Sequence, residues 1–250
     1  MTGNELERLT KALQSDPQMI KAVERLDRGI GTYKDVNKMA VFLGRRIAEE
    51  MGVSFSEEAL TNYLVAGHGL VAMSAEAAQT NLNTAAKIGL KPKVTKTPNA
   101  KIAKAVGTVA AAEPETVGVI CENVVPTLML EMVDDIVKYN ADFQKDSGLS
   151  PIIRRTWSGS YGSHDTQHTD NCEQMAGEWE YGDRPDDVFW RHEGCRCTVE
   201  YFPSKNAPGQ IAALAKYEVA RNGELFSKEE TLERRIKNAE RRRALDKKYR

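Results

Sequence analysis

The sequence predicts an α+β protein that is mainly helical: an N-terminal helical bundle, a small β-hairpin module resembling a zinc knuckle, and a basic C-terminal helix. Three observations carry this. Apolar residues recur at spacings of three and four near residues 36–47 and again over 125–143. Short β-prone runs appear only after Gly148 and Pro151. Three of the four cysteines and three of the four histidines lie between residues 164 and 197.

The elements follow in order. In "TYKDVNKMAVFLGRRIAEEMG", Val36, Met39, Ala40, Leu43 and Ile47 mark one helical face, and Gly52 is expected to end that helix in a left-handed turn. Ser56 reads as the next N-cap, with Glu57 and Glu58 at the positive end of the helix dipole. The alanine-rich stretch that follows is expected to stop at Gly89. Residues 1–89 thus form a helical domain. Residues 90–123 are lysine-bearing and contain prolines; they read as a basic linker, a solvated loop running into a short helix. Cys121 has apolar neighbours and reads as a small buried hydrophobe.

Residues 124–206 hold a long helix and the Cys/His module. The helix, 124–145, places Val125, Met129, Met132, Ile136, Tyr139 and Phe143 on one broad face, with Pro126 suited to its first turn. "IIRRTW" and "CTVEYF" then alternate as strands that could pair and bracket residues 158–196. The bracketed stretch is poor in aliphatic residues and needs an anchor other than its own core. Residues 207–250 read as a helical tail. A Ser227…Glu230 capping box opens a basic helix stabilised by pairs such as Glu230–Arg234 and Glu233–Lys237. Arg234, Arg235, Lys237, Arg241, Arg242, Arg243, Lys247 and Lys248 are the candidate contacts to nucleic acid or a partner.

Composition limits the function classes. With 250 residues, 41% apolar, 28% charged and a net charge of -1, the chain as a whole is not a magnet for nucleic acid or membrane. It shows neither a transmembrane run nor a signal-peptide pattern at its start, and four cysteines are too few for a disulfide framework. Synthesis in a reducing cytosol is the expectation.

The order His164, His168, Cys172, His192, Cys195, Cys197 suggests a metal. Zinc takes four thiolate or imidazole ligands in a tetrahedron. One helical turn would align His168 with Cys172, and His192 and Cys195 are three apart. Cys195 and Cys197 flank one residue at a strand start, so both point to the same side. Gly194 allows a sharp bend just before them. The spacing is also compatible with a disulfide from Cys172 to Cys195 or Cys197, or with free thiols packed in a small core.

The string "DNCEQMAGEWEYGDRPDDVFWRHEGCRCTVEYFP" resembles the C-terminal module of minor head proteins of tailed bacteriophages, the Mu F-like or head-morphogenesis group. The closing H-x-x-C-R-C-T is present as His192, Cys195, Arg196, Cys197 and Thr198, and Met175-Ala176-Gly177 matches a small turn. Ala176-Gly177, Pro185-Asp186-Asp187 and Arg191-His192 are similar to pieces of related prophage proteins. Where relatives carry further cysteines before the one matching Cys172, this chain has "HTDN". The resemblance therefore implies His168 as fourth ligand beside Cys172, Cys195 and Cys197. His192 is then a fifth candidate or a supporting residue outside the ligand set. It also implies a non-enzymatic virion protein with structural zinc, made in the bacterial cytosol and built into the head. Its partners would be the portal or major capsid protein, with packaged DNA held by the basic tail and no membrane. Two other readings stand beside it. His164, Asp165, His168 and Asp170 could form an open catalytic metal site, as in a nuclease, hydrolase or toxin-like enzyme. A zinc-ribbon nucleic-acid-binding protein is the other, against which the near-neutral charge argues.

Overall fold

The computed structural model describes residues 3–158 and 172–203. Six helices come first: α1 (Gly3–Ser15), α2 (Pro17–Asp27), α3 (Tyr33–Val53), α4 (Glu57–Ala85), α5 (Asn99–Ala110) and α6 (Val117–Asp146). Three strands follow, β1 (Ile152–Thr156), β2 (Gly177–Glu180) and β3 (Thr198–Phe202), with a single 3₁₀ turn at Tyr181–Asp183. The protein is α+β and mainly helical, as its sequence predicts. No described helix is long and apolar enough to cross a membrane.

The helix at 33–53 buries Val36, Met39, Ala40, Leu43 and Ile47, the face expected from their spacing. Ser56 caps α4 by accepting a hydrogen bond from the Ala59 amide, 3.1 Å away. Two helix ends differ from expectation. Chain reversal after α3 occurs at an extended Ser54, and Gly52 does not take a left-handed φ. The next helix, α4, stops at Ala85 rather than Gly89, because Lys87 adopts the left-handed conformation (φ 57°). The amides of Lys87 and Ile88 then reach the carbonyls of Thr84 and Asn83, closing the helix end without glycine. The segment after it runs as a loop into α5. The loop is docked by Asn140, whose side chain bonds both the amide and the carbonyl of Lys93 at 2.8 Å.

Helix α6 begins seven residues before the expected start at 124, so Pro126 lies inside it rather than in its first turn. The interior proline is tolerated because its lost bond is replaced. The ring frees the carbonyl of Glu122, four residues back, and Arg196 Nη2 donates to that oxygen. Cys121 is fully buried, as its neighbours suggested. Val125, Met129, Met132 and Ile136 are buried as expected, but Tyr139 is exposed. The inner face instead passes through Val133, Val137 and Ala141, since α6 packs against several elements and is buried nearly all round at its middle.

Helices α3 and α6 cross where a β-carbon on Gly44 would meet Pro126 Cα at 2.5 Å. Gly44→Ala should therefore destabilise the bundle by about 3 kcal/mol, read as a lower urea midpoint with an unchanged slope.

The sheet has the order β2-β1-β3, antiparallel throughout, with Ile153 opposite Trp179 on one side and Tyr201 on the other. The expected pairing of "IIRRTW" with "CTVEYF" is present, and β2 adds a third strand to the expected hairpin. The bracketed stretch is less dependent on an outside anchor than its composition implied. Trp179, Tyr181 and Val188 enter the same core as the helices, and Tyr181 Oη donates to Asp142 at 2.6 Å. Asn37 on α3 donates to the Val199 carbonyl at 2.8 Å, fastening β3 to the bundle.

Candidate metal centre

Three cysteines form a separate buried cluster beside the sheet. Cys172, Cys195 and Cys197 are each exposed by 2% or less, with Trp157 packed against them. All four cysteines of the chain are free thiols. Cys195 and Cys197 reach one cluster because of the local turn. Gly194 takes a φ of +75°, which suits glycine, and the Cys195 amide returns to the His192 carbonyl at 3.1 Å. Cys197 immediately precedes β3.

The ligand atoms of Cys172, His192 and Cys195 all lie within 4.8 Å of one another. Cys172 Sγ stands 3.9 Å from Cys195 Sγ and 3.1 Å from His192 Nε2. Sulfurs bound at zinc distances to one tetrahedral ion sit about 3.8 Å apart, and sulfur and imidazole nitrogen about 3.5 Å. The donors therefore fit a metal ion of that size and preference. The histidine tautomer fits as well. His192 Nδ1 is 2.7 Å from the Glu193 carbonyl. A carbonyl can only accept, so that bond requires a proton on Nδ1; in the neutral ring the lone pair is then on Nε2, which faces Cys172.

Two buried arginines line the cluster. The first, Arg155 of β1, donates through Nη2 to Cys172 Sγ at 3.7 Å and Cys195 Sγ at 3.8 Å. Its Nη1 bonds the carbonyls of Val188 and Trp190 at 2.6 and 2.7 Å. The second, Arg191, donates to Cys195 Sγ at 3.7 Å and to the Cys197 carbonyl at 2.6 Å. It also forks onto Asp134 of α6 at 2.6 and 2.9 Å. Burial pushes the Asp134 carboxyl up while the guanidinium pulls it down. With two short bonds to a guanidinium, the pair is ionised.

This surrounding separates the thiols. Hydrogen bonds from Cys172 and then Cys195, with the charge of Arg155, hold Cys197 far below the usual thiol range. Hydrogen bonding to its two sulfur neighbours, with burial, pushes Cys172 far above it. Cysteine binds a metal as the thiolate, and a guanidinium bonded to the sulfur favours that form. Arg196, between the two cysteines, turns away from the cluster: Nη1 reaches Thr127 Oγ1 at 3.1 Å and Nη2 the Glu122 carbonyl.

Of the candidate ligands, Cys172, Cys195 and Cys197 share one buried cluster; the close donor group is Cys172, His192 and Cys195, with Cys197 in the cluster but outside that group. His168 lies outside the described residues, as do His164, Asp165 and Asp170 and the basic residues of the tail, Arg234, Arg235, Lys237, Arg241, Arg242, Arg243, Lys247 and Lys248. Arg155, Arg191 and Asp134 were missed from the sequence. A signal existed in the paired arginines of "IIRRTW", since one arginine of an alternating strand must face the buried side.

Compared with protein-family models, with curated proteins and with solved structures, the chain matches none.

Proposed function

We propose that this chain is a non-enzymatic minor head protein of a tailed bacteriophage, and that its Cys/His group holds one structural zinc ion. The observation that carries the metal reading is the convergence of sequence-distant donors. Cys172 meets His192, Cys195 and Cys197 in one buried cluster, with a sulfur–sulfur distance of 3.9 Å. Thiolate and imidazole donors in this arrangement suit zinc better than hard, oxygen-seeking cations. Burial of all three sulfurs favours a structural role over a catalytic metal with an open position.

The phage assignment is supported by the likeness of His192, Cys195, Arg196, Cys197 and Thr198 to the closing motif of head-morphogenesis proteins. In this reading the helical bundle contacts the portal or major capsid protein. The arginine-rich stretch 234–243 neutralises phosphates of packaged DNA without reading their sequence. The chain is made in the bacterial cytosol and ends up in the virion. Mass spectrometry of purified particles tests this: the chain should be present in the heads at a few copies each. Its presence in the lysate and absence from intact particles would refute the assignment.

A further inference from the structure

The charges around the sulfur cluster define the metal centre more closely. Arg155 is 1% exposed and has no carboxylate partner among the described residues. Among the described residues, the partners hydrogen-bonded to it that can carry negative charge are the sulfurs of Cys172 and Cys195, and its Nε is buried without a hydrogen-bond partner there. Arg191, by contrast, is matched by Asp134. A buried cation without an anion is strongly disfavoured, and the two sulfurs bonded to Arg155 supply one when they are ionised.

We propose that Arg155 is the resident counter-cation of a divalent metal held by three thiolates, Cys172, Cys195 and Cys197, and one neutral imidazole, His192. This rests on the metal reading above and specifies its ligand set. A divalent ion with three thiolates carries one net negative charge. Arg155 cancels it, while Asp134 cancels Arg191, and the buried centre is neutral. A centre with two thiolates and two imidazoles would be neutral by itself and would leave Arg155 uncompensated. Four thiolates would leave one negative charge in excess after Arg155 is counted. The geometry of His192 suits a neutral ligand: with Nδ1 bonded to the Glu193 carbonyl, Nε2 faces the Cys172 sulfur at 3.1 Å. Arg155 touches sulfur and not the metal position itself, so it acts as a positioning residue. Its N–H groups stabilise charge on two ligand atoms at once.

X-ray absorption on the zinc-loaded wild-type chain tests the ligand set without any substitution. The expected first shell is three sulfurs and one nitrogen; two sulfurs with two nitrogens, or four sulfurs, would overturn the proposal. Competition with a chromophoric chelator tests Arg155. Arg155→Met should weaken zinc binding about 10- to 100-fold, the usual effect of losing a group that supports metal ligands. Arg155→Lys, which keeps the charge, should recover part of that loss. Melting of the metal-free proteins is measured in parallel. A purely structural role for Arg155 would lower that melting temperature and leave zinc affinity unchanged, contradicting the proposal. Should Arg155→Met fail to fold, the wild-type ligand count and the Lys variant still decide. A wild-type chain that takes up no zinc removes the metal reading itself. One that binds zinc through another ligand set, or with equal affinity in the Met variant, removes only the role given to Arg155 and its three thiolates.

Discussion

Cys195→Ser is expected to lower stability by at least about 4 kcal/mol in zinc-containing buffer, the value of a ligand present at a thousand times its dissociation constant. Cys195 lies at the meeting point of both arginines and the Cys172 sulfur. Its sulfur lies 3.9 Å from Cys172, 3.8 Å from Arg155 and 3.7 Å from Arg191. A serine hydroxyl is a poor zinc ligand, and it also leaves the two guanidinium groups beside a neutral atom. The loss should be local at first. Amide exchange in residues 172–203 should quicken, while α3 and α4 keep their protection, because their core is built from Leu43, Ile47, Leu60 and Leu64 and lies apart from the sulfurs. Chelator treatment of the wild-type chain should reproduce the same pattern. Unchanged melting after either treatment would show that the cluster holds together without a metal.

Asp134→Ala should cost about 3–5 kcal/mol, because it leaves the Arg191 charge buried with no counter-ion. The side chain of Arg191 is fully buried and that of Asp134 nearly so. Urea unfolding gives the magnitude. Replacing the pair together, Asp134→Leu with Arg191→Met, should recover only part of the loss. The ion pair can be exchanged for apolar packing at little cost, but the Cys197 carbonyl also loses its donor from Arg191. Equal stability of Asp134→Ala and wild type would mean that Arg191 finds another partner. In that case α6 would not be the element that fixes the metal module to the bundle.

Much of the fold was legible because helical periodicity is a strong signal over long segments. The buried faces of α3 and the first half of α6 followed directly from their spacing. The misplaced ends have a common cause: the rules were applied to residue type, while conformation is settled by hydrogen bonding. Lys87 accepts a left-handed φ because two amides then close the end of α4. Pro126 sits inside α6 because Arg196, seventy residues later, takes up the carbonyl it frees. No local pattern reveals that partner. The strand β2 was missed although "EWEY" alternates, since four residues are a weak signal among so many polar neighbours. At the site, the cysteines and His192 were legible as chemistry. The arginines were not, because a charged residue is ordinarily assigned to the surface, and only the strand register of β1 turns Arg155 inward.

The polar 172–203 segment is held by Trp179, Tyr181, Val188, Val199 and Tyr201 in the common core, and the proposed metal at the sulfur cluster, where Cys172, His192 and Cys195 could bind an ion, is a second hold. Elemental analysis of the purified full-length chain tests the second most directly. One equivalent of zinc per chain is predicted, falling to none in Cys172→Ser. A chain that purifies folded and stays free of zinc after zinc is supplied would contradict the account.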